Sequence, residues 1–515
     1  MSDRPTLDRS FINSAASSVS PVVLPSPSLL DLPERAVQFG TGAFLRGFVE
    51  YFIDSANRFG LFDGRIVAVG STGSGRDDIV NNQDGFYTLV TEGIENGGSV
   101  RELRVISSLS RALSANAEWD DVMQLARNPE IALVFSNTTE VGIVLDSDDE
   151  LSDPPRSFPG KLTAFLYERA TTFGYSAESG LHVIPCELIE RNGDKLKEIV
   201  TALAERWNLG GAFKRWLSTN VVFCNTLVDR IVPGQPSPAR REELEDVLGY
   251  RDELITVCEP YRLFAIECPP DGRGGLRFAD ADPGIIVTDD IEPYRLRKVR
   301  LLNGAHSLLA PVALQCGANT VFDAMSDDLV GAYLRRTMYD ELVAALDAPN
   351  AATFAREVVE RFSNPCLAHS LFDITLHGTA KMRVRVIPSI VDFAEKEHRV
   401  PALIAFGFAA FLLFLRGDLQ HLRRASGLPV PSDEHGLKVR ELWHTGPDRS
   451  PHAVARDACS DESLWGVRLD RIPGFEESVA AHLTRMEEIG VRAALSQLLF
   501  RAGHHADTTS ARASH

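Results

Sequence analysis

The sequence predicts an α/β protein in which a Rossmann-like, doubly wound domain is followed by a mostly α-helical one. Three observations carry that prediction. Short β-rich runs alternate with helical patterns through the first half, as parallel strands joined by crossover helices require. After about residue 290 the β-rich runs fade, and long helical patterns at 295–315, 328–347 and 402–424 take over. The first strand also runs through a two-glycine turn straight into a helix.

In chain order, "RAVQF" (35–39) reads as a strand and "AFLRGFVEYFIDSANRFG" as one helix ending near Gly60. "RIVAVG" (65–70) is a second strand. "EWDDVMQLARN" is a helix that Pro129 stops, and "IALVFS" (131–136) is a strand. "GLHVIPC" (180–186) is another, "GDKLKEIVTALAERW" a helix, and "TNVVFCNTLVD" a return to strand. The expected organisation is a disordered Ser/Pro-rich start at 1–33, a dinucleotide-binding domain at 34–288, a helical substrate and catalytic domain at 289–500, and a frayed tail at 501–515.

Composition narrows the function classes. The 515 residues are 44% hydrophobic, enough for sizeable cores, and the net charge is −18. With no long Lys/Arg run, neither nucleic acid nor an anionic membrane is an expected partner. The apolar run "ALIAFGFAAFLLFL" (402–415) falls short of the roughly 20 residues a bilayer needs and reads as a buried helix. Seven cysteines without a CxxC pair read as free buried thiols in a reducing cytoplasm, with no structural zinc.

Three stretches are candidate sites. In "QFGTGAFLRGF", Gly40, Thr41, Gly42 and Phe44 span the strand-to-helix turn. Glycines there let the backbone turn tightly and approach a pyrophosphate, although Leu45 holds the third glycine's place; a purely structural turn is the competing reading. The second strand runs into "GSTGSGR", with no acid before Asp77. An acid there would bind the ribose hydroxyls of NAD, whereas Ser71, Thr72 and Arg76 could accept the 2′-phosphate of NADP, so both cofactors stay open. Asn137 and Thr138, in "SNTTE", follow a strand at the edge where open α/β sheets bind ligands, and they also suit a plain turn.

The third stretch is "KVRLLNGAH". At about 100° per residue, Lys298 shares a stripe with Leu302, Ala305 and Leu309, and Asn303 and His306 fall within about 140° of it. A snorkelling lysine beside a polar flank fits the spacing. So does a desolvated general acid/base accompanied by two hydrogen-bond donors for a developing alkoxide, the groups that alcohol–ketone chemistry needs besides a hydride carrier.

Lys298-x4-Asn303-x2-His306 resembles the signature of the long-chain polyol dehydrogenases, the mannitol dehydrogenase family. The resemblance spans about residues 34–500, with "QFGTGAFLRGF", "NQDGFYTLV", "SNTTEVGI", "SFPGKLTAFLYER", "IPCELIERNGDKL", "NTLVDRIVPG" and "PYRLRKVRLLNGAH" in the family's order. It implies a nicotinamide cofactor, NAD by family habit. It makes Lys298 the general acid/base and Asn303 and His306 the donors on the oxyanion side. Asn225, Lys381 and, in a shifted place, His377 would contact substrate, and Asp229 matches a motif position of structural character.

"SNTTE", "IPCELI" and "NTLVDRI" resemble the uronate branch, which implies reversible reduction of D-tagaturonate to D-altronate in the cytoplasm. Fructuronate reduction and mannitol 2-dehydrogenation are the alternatives. A sugar acid needs a cation, with Lys381 first and Arg383 or Arg385 of "KMRVRV" behind it; a solvated basic strand is the competing reading of that run. A nucleotide-sensing regulator without turnover is the reading from another class. It has no need of Lys298, Asn303 and His306 together.

Overall fold

In the computed structural model, residues 4–15, 21–70, 75–138, 142–366, 369–418, 433–445 and 448–510 are described. The chain forms two compact units, Met1–Gly93 with Ser99–Ile291, and Ile94–Gly98 with Glu292–His515.

The first unit is built on six parallel strands: β1 (Glu34–Phe39), β2 (Arg65–Gly70), β3 (Leu109–Ser114), β4 (Leu133–Ser136), β5 (Leu181–Pro185) and β6 (Val221–Phe223). Their order across the sheet is β3-β2-β1-β4-β5-β6. The order reverses direction between β1 and β4, the crevice where such sheets take their ligands. Both faces are covered. Val37, Val67, Val134 and Val183 pack with the helices Trp119–Ala126, Phe158–Thr172 and Asn192–Arg206. Their neighbours Ala36, Ile66, Phe135 and Ile184 pack on the other side with Val49–Arg58. Successive side chains point to opposite faces, so a strand buried on both reads as a continuous apolar run, as "RIVAVG" does.

Several elements differ from expectation, each for a local reason. The single helix expected after the glycine turn is two, Ala43–Gly47 and Val49–Arg58, broken at Phe48. Arg230 donates to the Gly47 carbonyl at 2.7 Å, and a Cβ on Gly47 would meet Val232 at 2.8 Å. The run "TNVVFCNTLVD" is also two elements. After β6 the chain passes Cys224 into Asn225–Asp229, which pairs antiparallel with Leu263–Glu267 in a separate three-stranded sheet.

The opening segment, expected to be disordered, carries a helix at Arg9–Ala15 and a strand at Val22–Val23 paired with Leu103–Arg104. Leu7, Ile12 and Val22 are buried against Phe86, Val90 and Tyr250. A few spaced apolar side chains dock a stretch whose average composition is polar.

In the second unit the long helical patterns are subdivided. Ala402–Arg416 is buried from Leu403 to Leu415 and ends at Gly417, whose φ of +99° closes the helix; 419–432 lie outside the described residues. No helix among the described residues is long and apolar enough to cross a membrane. The run "KMRVRV" is not a strand. It lies in and just after the helix Gly378–Arg385, because Thr379, Met382 and Val386, three and four residues apart, are the buried positions. The last helix, Val491–Ser510, runs into the stretch expected to fray. None of the seven cysteines is in a disulfide; five are buried, while Cys316 is half-buried and Cys366 exposed.

Candidate active site

At the C-terminal edge of the parallel sheet, β1 ends in Gly40, whose φ is +124° and whose N–H donates to the Val69 carbonyl at 2.9 Å. A Cβ there would be strained and would meet the Asn137 carbonyl at 3.0 Å, so the turn after β1 and the turn after β4 touch through backbone that only glycine allows. Gly42 caps the next helix and leaves open space beside it. The Thr41 carbonyl accepts from Arg46 at 2.7 Å, and the ring of Phe44 stacks on Phe48 at 4.9 Å.

The turn after β4 is tied down on its far side. Asn137 donates through Nδ2 to the Cys186 carbonyl at 2.7 Å. Thr138 gives its N–H and its hydroxyl to Glu187 Oε1 at 2.9 and 3.0 Å, and Ser136 gives its hydroxyl to Oε2 at 3.1 Å. Glu187 is buried, which lifts its carboxyl above the usual range, while these donors pull it back. It lies outside the three candidate stretches of the sequence. Its signal was an acid two residues beyond the end of an apolar strand, at the same sheet edge as the glycine turn.

Ser71 and Thr72 lie outside the described residues. Arg76 is half-buried and begins the helix Arg76–Asn82. Asp77 follows it and returns to the end of β2, where a Cβ on Gly70 would meet Asp77 Oδ1 at 2.5 Å. Among the described residues that buried oxygen has no hydrogen-bond partner. Burial and then the nearby Glu118 and Asp78 charges raise the carboxyl's pKa. The acid that seemed missing after the second strand is therefore present in space, seven residues on in sequence.

In the second unit, Glu292–Arg297 continues through a π-helical stretch, Lys298–Asn303, into the α-helix Gly304–Gln315. The Gly304 N–H bonds the Val299 carbonyl, five residues back. This corrects the stripe drawn at 100° per residue. An i→i+5 turn takes up one extra residue, so Lys298 and Asn303 lie closer together around the helix axis than the roughly 140° that α-helical spacing gives. Both are half-buried.

His306 is buried, its ring stacked on Phe362 at 4.0 Å and set edge-on to His369 at 5.0 Å. Among the described residues its Nε2 has no hydrogen-bond partner. Burial first, then His369 and the charges of Arg361, Arg385 and Lys381, push its pKa well below the ordinary value. The ring is thus neutral in a positive field.

Models of two families of sequence match the chain: a mannitol dehydrogenase Rossmann domain over residues 34–274 and a mannitol dehydrogenase C-terminal domain over 290–486. The chain belongs to the mannitol dehydrogenase family. Altronate oxidoreductase of Pectobacterium atrosepticum is 39% identical over 471 residues, which are 90% of this chain and 96% of the relative. That of Bacillus subtilis is 38% identical over 473 residues, 92% and 96%. Mannitol 2-dehydrogenase of Pseudomonas fluorescens, solved with NAD and D-mannitol, superposes with a TM-score of 0.66 at 26% identity, covering 96% of this chain and 99% of that one. A D-sorbitol dehydrogenase shares the fold, with a TM-score of 0.76, 24% identity and coverage of 95% and 100%.

The residues expected to meet substrate in this mannitol dehydrogenase family member also hold bonds within the fold. Asn225 is buried, its Oδ1 accepts from the Asp194 N–H at 3.0 Å, and its Nδ2 donates to Glu267 at 2.9 Å. It ties the N-terminus of Asn192–Arg206 to the three-stranded sheet, and that work engages both ends of its amide. His377 is an exposed residue with φ +52° before Gly378–Arg385, and its carbonyl accepts from the Lys381 N–H, so it serves the turn. Lys381 is half-buried, and its Nζ donates to the Ile374 carbonyl at 3.0 Å.

Proposed function

We propose that this chain is a nicotinamide-dependent oxidoreductase that interconverts D-tagaturonate and D-altronate. The substrate follows from the altronate oxidoreductases that are 38–39% identical to it over nine-tenths of its length. The observation that carries the chemistry is the Lys298–His306 turn, which brings an amine, an amide and a neutral imidazole into one short helical stretch.

The first unit fits a dinucleotide. Gly42 has room for close approach, Gly40 allows the turn, and Glu187 fixes Ser136 and Thr138 beside it. When bound, the dinucleotide supplies or accepts the hydride. Gly40, Thr41, Gly42, Phe44, Asn137 and Thr138 would hold it at the sheet's switch point. Asp77, with one buried oxygen that no described residue bonds, suits the ribose hydroxyls and would repel a 2′-phosphate, so NADH is preferred to NADPH. Arg76 alone would favour the phosphate, but Asp78 and Glu118 add negative charge near Asp77, and that charge opposes a 2′-phosphate.

The second unit supplies the proton and the polarisation. As the carbonyl carbon is reduced, its oxygen gains negative charge. Lys298 Nζ gives that oxygen a proton, and in the reverse direction the neutral amine removes it from the alcohol. The Asn303 amide and, in its Nε2-protonated tautomer, the His306 ring donate hydrogen bonds to the same oxygen. A neutral His306 does not compete with Lys298 as the acid, and its buried Nε2 has no other partner among the described residues to leave.

The test is a substrate panel of tagaturonate, fructuronate and fructose, each with NADH and with NADPH. Tagaturonate with NADH should give the highest kcat/KM. A higher value for fructose would overturn the substrate assignment, and absence of turnover with all three would return the nucleotide-sensor reading.

A further inference from the structure

We infer that Arg385, with Lys381, is the clamp for the substrate's carboxylate and sets the preference for a sugar acid over a neutral sugar. This inference rests on the activity proposed above and adds a residue to it.

Lys381 and Arg385 are four residues apart on the helix Gly378–Arg385, so they share a face. That helix packs closely on the start of the His306 helix: a Cβ on Gly304 would meet the Arg385 carbonyl at 3.1 Å. Both side chains are half-buried, and both lower the pKa of His306. The Gly304 contact sets the helix that carries both cations against the start of the helix that carries His306.

Their partners do not account for their charge. Lys381 gives one hydrogen bond to a backbone carbonyl, and Asp373 is the carboxylate near enough to affect it. Among the described residues Arg385 has no acidic partner: burial lowers its pKa and no carboxylate opposes the shift. Arg383, two residues before, differs. It is exposed, turned towards the Ser463 carbonyl at 3.5 Å, and lies against Gly466.

A half-desolvated guanidinium without a counter-charge is costly, and a chain acting on a neutral polyol would gain nothing from it. A carboxylate fills it bidentately while the Lys381 ammonium adds a point charge. An open-chain keto-uronate carries its carboxylate a few bonds from the ketone carbon, which matches cations beside the polarising group and not on it.

The test compares tagaturonate with D-tagatose, which has a hydroxymethyl group in place of the carboxylate. In Arg385→Gln the ratio of kcat/KM for tagaturonate to that for tagatose should collapse by about 10²-fold, the worth of a hydrogen bond to a charged group. Arg385→Lys should recover part of it, since charge is kept and the fork is lost. Calorimetric titration of the NADH-loaded enzyme with D-altronate should weaken in step, and NADH titration reports that the variants are folded. A parallel loss for both sugars, or an unaltered ratio, overturns the clamp while the activity stands. A wild-type enzyme inactive on every keto-uronate overturns both readings.

Discussion

Asp77 and Gly70 are in side-chain-to-backbone contact, so close that any Cβ on Gly70 would fall 2.5 Å from the Asp77 carboxylate. The glycine that ends β2 is what allows an acid to close over the strand's edge. Asp77→Ser should narrow the preference for NADH over NADPH by about tenfold or more, one lost charged hydrogen bond together with one lost repulsion. Gly70→Ala should do the same by displacing the carboxylate. Steady-state KM values for the two cofactors check both, and an unmoved ratio removes Asp77 from the ribose site.

Lys298→Ala should lose about 10²–10⁴-fold in kcat and flatten the pH profile, while NADH binding survives. Small primary amines should restore part of the rate. Asn303→Ala should lose about 10²–10³-fold in kcat with little change in KM, and no amine should rescue it. Near-normal rates in Lys298→Ala would leave the turn a helix with a polar flank.

Glu187→Gln should raise KM for NADH several-fold and leave the keto-uronate KM nearly unchanged. The carboxylate accepts three hydrogen bonds from Ser136 and Thr138, and an amide can accept at only one of its two ends. Cofactor titration by protein fluorescence is the measurement. Equal weakening of both ligands would show a general loss of structure.

Asn225→Ala should cost about 1–3 kcal/mol of stability, because it strips a partner from the half-buried Asp194 N–H and from Glu267. Denaturant midpoints measure this. A large rise in the tagaturonate KM with unaltered stability would return Asn225 to the substrate site.

Burial pushes the Glu341 carboxyl up to about 7, against the pull of the Leu403 and Ile404 N–H groups that it accepts. The folded form holds its proton longer than the unfolded chain does. Its contribution to stability is therefore full below about 4.5 and is lost as pH rises to about 7, on the order of 3 kcal/mol at most. Replacing Glu341 with Gln should remove that slope from the stability–pH curve.

The parallel strands are legible in the sequence because burial on both faces writes itself as an unbroken apolar run, as at Arg65–Gly70 and Leu133–Ser136. The glycine turn is legible because the backbone at Gly40 excludes other residues. Three features are not. The π turn at Lys298–Asn303 uses the same residues an α-helix would, so periodicity is silent about it. Asp77 is displaced from its expected place in sequence and returned to it by folding. Glu187 fastens the turn after β4, and Asn225 fastens the helix Asn192–Arg206 to Glu267 in the second sheet, through partners that their local sequence does not name. Charged and amide side chains reveal their work only through partners distant in sequence.

The change of sheet at Cys224 ties two layers of the first unit to one short piece of chain. Asn192 grips the Thr226 N–H through Oδ1 and the Pro185 carbonyl through Nδ2, and Asn225 reaches Glu267 across the second sheet. Neither sheet can open without pulling on the other. Amide hydrogens at Cys224 and Thr226 should thus exchange with solvent only when the whole unit unfolds, at a rate set by its global stability and not by local fraying, even though they lie at the border between sheets.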